Sequence, residues 1–410
     1  MKIIPESLKR LDEPLPFYSF LAAHSFLIGL LPFYLPVFLW GHGFNLADVA
    51  LLISATGAAF TLSLKFWQQA AKKLTTRDLL IRTFLIEALL VCALLLVTVV
   101  TDQNNPESTS PQLAILLAIF VGLVSGSYNA WFWTTQRTLF LAMTEASNTG
   151  RQYGNFQIFV TVFLKVGILI GGLLLDSNQG RIGFLLLNLA IITGMIFWYR
   201  NVLGDKKLKL NDGPNISLLS SFNYRDKCRS FAVFLLDGIF LFLESHFWLL
   251  SLFLVVQEDF SSLGITVVAL ALFFAVTFYL LKNSIDKLTG NSVYLVATLL
   301  YALSWFLRAY VDAEMTRTVL LVSLMIITFC SSFFRLAFNK RFFDLARSHN
   351  NTDYLLVKSY LSQCVLALFY GVTALMLYRT GTDGITYFST IYYAAAVLSV
   401  GYAMYRIPEQ

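Results

Sequence analysis

Seven ionisable side chains, His24, Glu87, Lys165, Asp237, Glu244, His246 and Arg335, stand inside long apolar runs of this 410-residue chain. A charge at membrane depth is costly, so each is a candidate for function before it is a candidate for packing. Carboxylates there can take up and release protons, and Lys or Arg can neutralise them or hold an anionic ligand. Asp237 and Glu244 are seven residues apart, which sets both on one face of a helix. Counted along their runs, Lys165 and Glu244 lie about 15 residues in, and Asp237 and Arg335 about 7 and 6 in, giving two matched levels. That match predicts Lys165 beside Glu244 and Arg335 beside Asp237. A static ion pair that fixes helix packing is the alternative. Desolvating two charges can cost more than their attraction returns, which favours function.

Asp237, Glu244 and Glu87 are therefore the candidate proton-coupling groups. His24, Lys165 and Arg335 are candidate substrate contacts, joined by uncharged residues at helical spacing. Ser125, Asn129, Trp133 and Gln136 share one face of a fourth run, where stacking and amide hydrogen bonds could meet an organic molecule. Arg335, Phe338, Asn339 and Phe342 form a similar face on a tenth run. Ordinary helix packing would suit the fourth-run face equally. Glu87 has a bonding role to the second or fourth helix as its alternative, and His246, 200° round from Glu244, reads as a packing histidine. Trp131 reads as an anchor at the membrane boundary.

The elements that must carry these residues follow from composition. Hydrophobic residues make up 57% of the chain and charged ones 13%, where a soluble domain carries about 25% charged. Twelve apolar runs of spanning length occur, near 16–41, 46–67, 79–100, 112–137, 151–175 and 182–202, then 230–256, 262–282, 291–311, 317–341, 355–378 and 384–405. Lys and Arg fall on alternate ends of these runs. Lys9, Arg10, Lys65, Lys72, Lys73, Arg77, Arg82, Lys206, Lys207, Arg229, Lys340, Arg341, Lys358 and Arg406 are among those on one side, against Arg181, Arg308, Arg317 and Arg379 on the other. The positive-inside rule then puts both termini in the cytoplasm, in a cytoplasmic (inner) membrane. Residues 1–202 form a first six-helix bundle, 203–229 a basic cytoplasmic linker containing GDKKLKLNDGPN, and 230–410 a second six-helix bundle. The net charge of +6 is explained by topology, with no basic domain for nucleic acid. The four scattered cysteines give neither a disulfide framework nor a metal site. No nucleotide-binding loop or hydrolase elbow occurs, so neither an enzyme nor a cofactor is expected. No cleavable signal peptide is expected either, because the first run is too long and lacks a cleavage site.

The two halves also resemble each other. Phe17, Phe20, Leu21 and Phe26 align with Phe231, Phe234, Leu235 and Phe240, and Ser127, Arg137 and Ala142 with Ser331, Arg341 and Ala346. Over its whole length the chain resembles the major facilitator superfamily, whose loop between helices 2 and 3 is eroded here to KFWQQAAKKL (65–74), without its Gly and Asp. The matching loop KNSIDKLTG (282–290) keeps Asp286, Lys287 and Gly290, and GILIGG (167–172) keeps the glycines of the fifth-helix run of family exporters without the proline. The resemblance implies an all-α membrane protein of twelve helices in two bundles, with helices 1, 4, 7 and 10 lining a central cavity. The two expected pairs would then meet across the cleft between the halves. It implies alternating-access secondary transport of a small organic molecule, an anion being one option, coupled to protons or another ion, by a monomer in the lipid bilayer. The glycine run leans towards export, and there is a vague likeness to exporters of carboxylate siderophores. An importer of an organic acid or nutrient, a non-transporting receptor or scaffold, and a lipid flippase are the alternatives.

Overall fold

The computed structural model describes residues 14–101, 110–143, 149–176, 178–202, 216–281, 290–312, 314–348, 351–381 and 384–406. They form twelve long helices, and no strand occurs among the described residues. The first six are α1 (Pro14–Leu30, continued by Leu35–Trp40), α2 (Leu46–Lys73), α3 (Thr76–Val100), α4 (Pro111–Met143), α5 (Thr149–Leu175) and α6 (Asn178–Val202). The second six are α7 (Ser230–Val255), α8 (Phe260–Leu281), α9 (Asn291–Arg308), α10 (Arg317–Ser348), α11 (Asn351–Thr380) and α12 (Gly384–Ser399, with a 3-10 turn Val400–Met404). Eight are long and apolar enough to cross a membrane by length and composition, and two shorter apolar helices add to them. The side chains that these helices turn outward are large and apolar, Val99, Leu116, Phe197, Leu368 and Val397 among them. Only lipid can cover such a surface, because helices satisfy their own backbone groups and need no water. The motif at 282–289 and most of the linker lie outside the described residues.

Local chemistry explains the breaks. Pro32 has no N–H to give the preceding turn, so Phe33 reaches back five residues to the Ile28 carbonyl and α1 restarts at Leu35. In α7 a π-turn spans Leu243–Phe247, closed by the Trp248 N–H on the Leu243 carbonyl. Such single π-turns sit frequently at functional sites, since they re-aim the side chains they carry. Glu244 and His246 are both on this one. Longer than the apolar run suggests, α10 continues to Ser348, because Lys340 pairs with Asp344 one turn on and Arg341 bonds the Tyr405 carbonyl. Arg335 is consequently farther from the end of its helix than a run ending at 341 implies.

Glycine sets the closest approaches. A Cβ on Gly126 would stand 2.2 Å from the Thr56 carbonyl oxygen, so α4 lies backbone to backbone on α2. A Cβ on Gly167 would stand 2.2 Å from the Phe26 carbonyl, which does the same for α5 and α1. The two halves meet along two seams. Along α2 and α11, Tyr378 donates to Asp48 (2.5 Å), Ser54 to the Ala367 carbonyl (2.7 Å) and Gln68 to the Tyr360 hydroxyl (3.0 Å). Gln68 also donates to the Ile216 carbonyl, tying down the end of the linker. The α5–α8 seam closes where Gly172 faces the Phe260 backbone. Away from the linker, the Leu35–Trp40 segment packs on Trp248–Val255, and the Trp40 indole donates to Glu258 at 3.4 Å.

Candidate functional site

Asp237 on α7 is fully buried and draws three partners. Arg335 of α10 donates to it at 3.0 Å and Tyr402 at 2.8 Å, and the Lys358 ammonium of α11 sits 2.9 Å from its other oxygen. The same Arg335 donates through Nε to Glu244 at 2.8 Å and through Nη2 to the Tyr301 hydroxyl at 3.3 Å. Glu244 is also 3.8 Å from Arg308 at the end of α9, and Arg308 donates to Ser304 (3.1 Å) and Ser331 (2.8 Å). Arg308, Glu244, Arg335, Asp237 and Lys358 thus alternate in sign along one chain, three cations against two carboxylates. Aromatic rings wall it in. Arg308 lies over Trp305 and Trp248, Arg335 near Tyr301, and Lys358 over Phe338 and Phe342. Its partly open members are Arg335 and Glu244, 23% and 20% exposed.

The expected pairing of Arg335 with Asp237 is present, but inside the second bundle and not across the cleft. Both residues belong to helices of the same half, and Arg335, farther from the end of its helix than expected, bridges both acids. Lys165 does not pair with Glu244, whose partners are the two arginines. Lys165 makes no hydrogen bond or ion pair among the described residues; it is half-buried on the face of α5 that carries Ile168 and Gly172, the face that meets α8. Three members of the cluster were not singled out in the sequence. Lys358 and Arg308 read as topology charges near run ends, and Tyr402 as one apolar residue among many. Lys358 is seven residues inside α11 once that helix is seen to begin at Asn351.

The first bundle differs. His24 on α1 and Glu87 on α3 are both buried, 3.0 Å apart but out of hydrogen-bond alignment. Phe84 stacks on the imidazole at 4.1 Å, and Phe20 and Phe132 close on it at 4.5 Å. Tyr128 of α4 is buried beside them, its ring 6.3 Å from the imidazole. Glu87 was expected to bond the second or fourth helix; its ion-pair partner is on the first.

On α4, Asn129 donates to the Ser125 carbonyl (2.8 Å) and accepts from the Trp133 indole (2.9 Å), and Arg137 stands over Trp133. The α4 face is therefore a bonded ladder with half-buried Asn129 and Trp133. Its last member, Arg137, is within electrostatic reach of Lys358 in the other half. Asn339 on α10 is half-buried and makes no hydrogen bond among the described residues. Its expected companions Phe338 and Phe342 turn into the second bundle and are buried there. His246 bonds the adjacent Ser245 hydroxyl at 3.0 Å and packs on Phe242, as a packing histidine would. Trp131 is buried in a cluster with Phe60, Leu64 and Trp67 of α2 and is not a boundary anchor. Gly167, Gly171 and Gly172 are taken up by contacts with α1 and α8, so the glycine run carries no information on direction. No cluster of His, Cys, Asp or Glu suited to a metal ion occurs among the described residues.

No family model matches the sequence, and no curated protein does. Among solved structures the chain is similar to the nucleoside transporter NupG, with a TM-score of 0.62 at 15% identity over 96% of this chain and 98% of that one. A point mutant of the same transporter gives 0.63 at 17%, over 94% and 98%. Both of these structures are of a transporter. The likeness leaves the siderophore resemblance without support. What it establishes is the architecture: an all-α membrane protein of twelve helices in two six-helix bundles, with the major-facilitator-like fold of these transporters.

Proposed function

We propose that this chain is a secondary transporter that moves a small organic anion between its two bundles by alternating access. The observation that carries the reading is the five-charge chain, whose open members Arg335 and Glu244 pair with each other. A bound anion would compete with Glu244 for Arg335, and a proton on Glu244 would release Arg335 to the anion. Glu244 suits that exchange better than Asp237. Protonating it gives up one hydrogen bond and a contact at 3.8 Å, whereas Asp237 would give up three partners. Lys165, Asn129, Trp133 and Asn339 are the proposed further contacts on the substrate path, with Lys165 adding a second cation; His24, sealed behind Phe20, Phe84 and Phe132, is not among them. The buried Glu87, paired with His24, is the second candidate for the proton. The two bundles are the rocking units, joined by the linker at 203–229.

A second reading follows from the α4 ladder and the likeness to a nucleoside transporter. A half-buried Trp beside a side-chain amide is a face on which an uncharged base and its sugar could stack and bond. Proteoliposome assays separate the two. Uptake and efflux of organic acids and of nucleosides are followed with and without a pH gradient, in the wild type and in Glu244→Gln. Organic-acid flux that depends on the gradient, and loses that dependence in Glu244→Gln, supports the first reading. Nucleoside flux alone replaces it with the second, and a gradient dependence that survives intact in Glu244→Gln removes Glu244 from the coupling. Measuring both directions decides between import and export.

A further inference from the structure

The linker-side end of the second bundle holds a cavity of about 580 Å³ that the transport path does not use. Four cations line it, Lys227, Arg229, Arg341 and Arg406, and among the described residues no carboxylate does. They come from three places in the chain: the segment entering α7, the last turns of α10, and the residues after α12. Arg341 is 3% exposed, and its hydrogen bonds end on neutral carbonyls, those of Tyr405 and Gly290. The Tyr294 ring lies 3.9 Å beneath its guanidinium. Among the described residues no carboxylate forms an ion pair with any of the four. Asp226, next to Lys227 in the sequence, is taken by the backbone and hydroxyl of Ser230 at the start of α7. Arg229 itself has a φ of 58°, a left-handed conformation rare for a side chain of that size. Asn291 and Ser292, which open α9, complete the wall, and that helix begins at Gly290 without a side-chain cap.

Topology alone asks for cations on this side of the membrane, but not for four of them around one hollow. Like charges so arranged repel one another, and among the described residues only neutral groups answer Arg341. A phosphate ester would answer them better, since guanidinium forks match its oxygens and the first N–H groups of a helix favour an anion. Basic pockets between helix ends at the membrane surface are suited to anionic head groups. We propose that this cavity is a binding site for a phosphate ester, drawn either from an anionic phospholipid head group or from a soluble organic phosphate. The site is separate from the charge chain: none of its lining residues belongs to that chain.

The test uses the full chain in detergent, with thermal unfolding as readout. Wild type is compared with Lys227→Gln/Arg229→Gln/Arg406→Gln, all three being exposed positions outside the substrate path. A second triple, Lys65→Gln/Lys73→Gln/Arg82→Gln, removes equal charge from exposed positions of the other bundle on the same side. Each is titrated with phosphatidylglycerol, with phosphatidylcholine and with soluble glycerol phosphate. The expected result is a rise of several degrees in the wild type and the control triple with phosphatidylglycerol, none with phosphatidylcholine, and loss of at least half the rise in the cavity triple. A matching rise with glycerol phosphate assigns the site to soluble phosphates, and its absence assigns it to lipid. Equal rises in the two triples, or no rise in the wild type with either phosphate, would overturn the proposal.

Discussion

The two bundles handle buried charge in opposite ways. The first isolates a single pair, His24 and Glu87, behind Phe20, Phe84 and Phe132, where neither group reaches water. The second strings five charges across α7, α9, α10 and α11 and leaves the middle of the string partly open. A pair sealed in rings can fix helix packing but exchanges partners only by local opening. A chain with an open middle can exchange one partner for a ligand or a proton without exposing the rest. The two arrangements teach where a charge is free to move: at Arg335 and Glu244, not at Asp237 or at the closed pair.

The widest expected gap between the bundles comes from breaking the chain at its most buried member. Asp237→Ala strands Lys358 and Arg335, and should cost about 3–5 kcal/mol, read as a large drop in thermal unfolding temperature in detergent. Asp237→Met with Lys358→Met should recover part of that loss. A stable Asp237→Ala single variant would mean that the chain is not a unit. Next comes a packing contrast on the α2–α4 face. Gly126→Val drives a side chain into the Thr56 carbonyl and should cost about 1–3 kcal/mol, while Gly183→Ala, which meets nothing within 4 Å, should be neutral or slightly stabilising. In the closed pair, His24→Phe with Glu87→Leu replaces two buried polar side chains by apolar volume and should leave stability within about 1 kcal/mol or raise it. Wild-type transport by that double variant would confine it to packing, and loss of gradient dependence would move the coupling proton to the first bundle. The smallest effect is expected at the seam. Gln68→Ala removes the bonds to Tyr360 and Ile216 and should cost about 1 kcal/mol, seen as a modest change in unfolding temperature.

Much of the architecture was legible in the chain because lipid imposes a length and a polarity on every span. The start of the run near 46–67 and the end of the run near 182–202 coincide with those of α2 and α6 for that reason. The run near 317–341 fell short of α10 because Lys340 and Arg341 look like a boundary, and only their partners, Asp344 and Tyr405, show that the helix goes on. Asp237, Glu244 and Arg335 could be named as a group because ionisable residues are rare inside apolar runs. Their partners were harder to name. Lys358 and Arg308 sit near run ends, where a charge has an ordinary explanation, and Lys165 was matched to Glu244 on depth alone, which says nothing about direction around the helix.

By itself the sequence determined that this protein lives in lipid, spans it with repeated helices, and carries a few charges that must be answered inside it. Composition and span length settle those points, since hydrocarbon offers no alternative hydrogen-bond partner to any backbone or charge. Tertiary structure decided which charges answer which. The π-turn in α7, the extra length of α10 and the glycine contacts set the rotation and depth of each helix. A single turn of error in either moves a carboxylate by several ångströms, enough to exchange one partner for another.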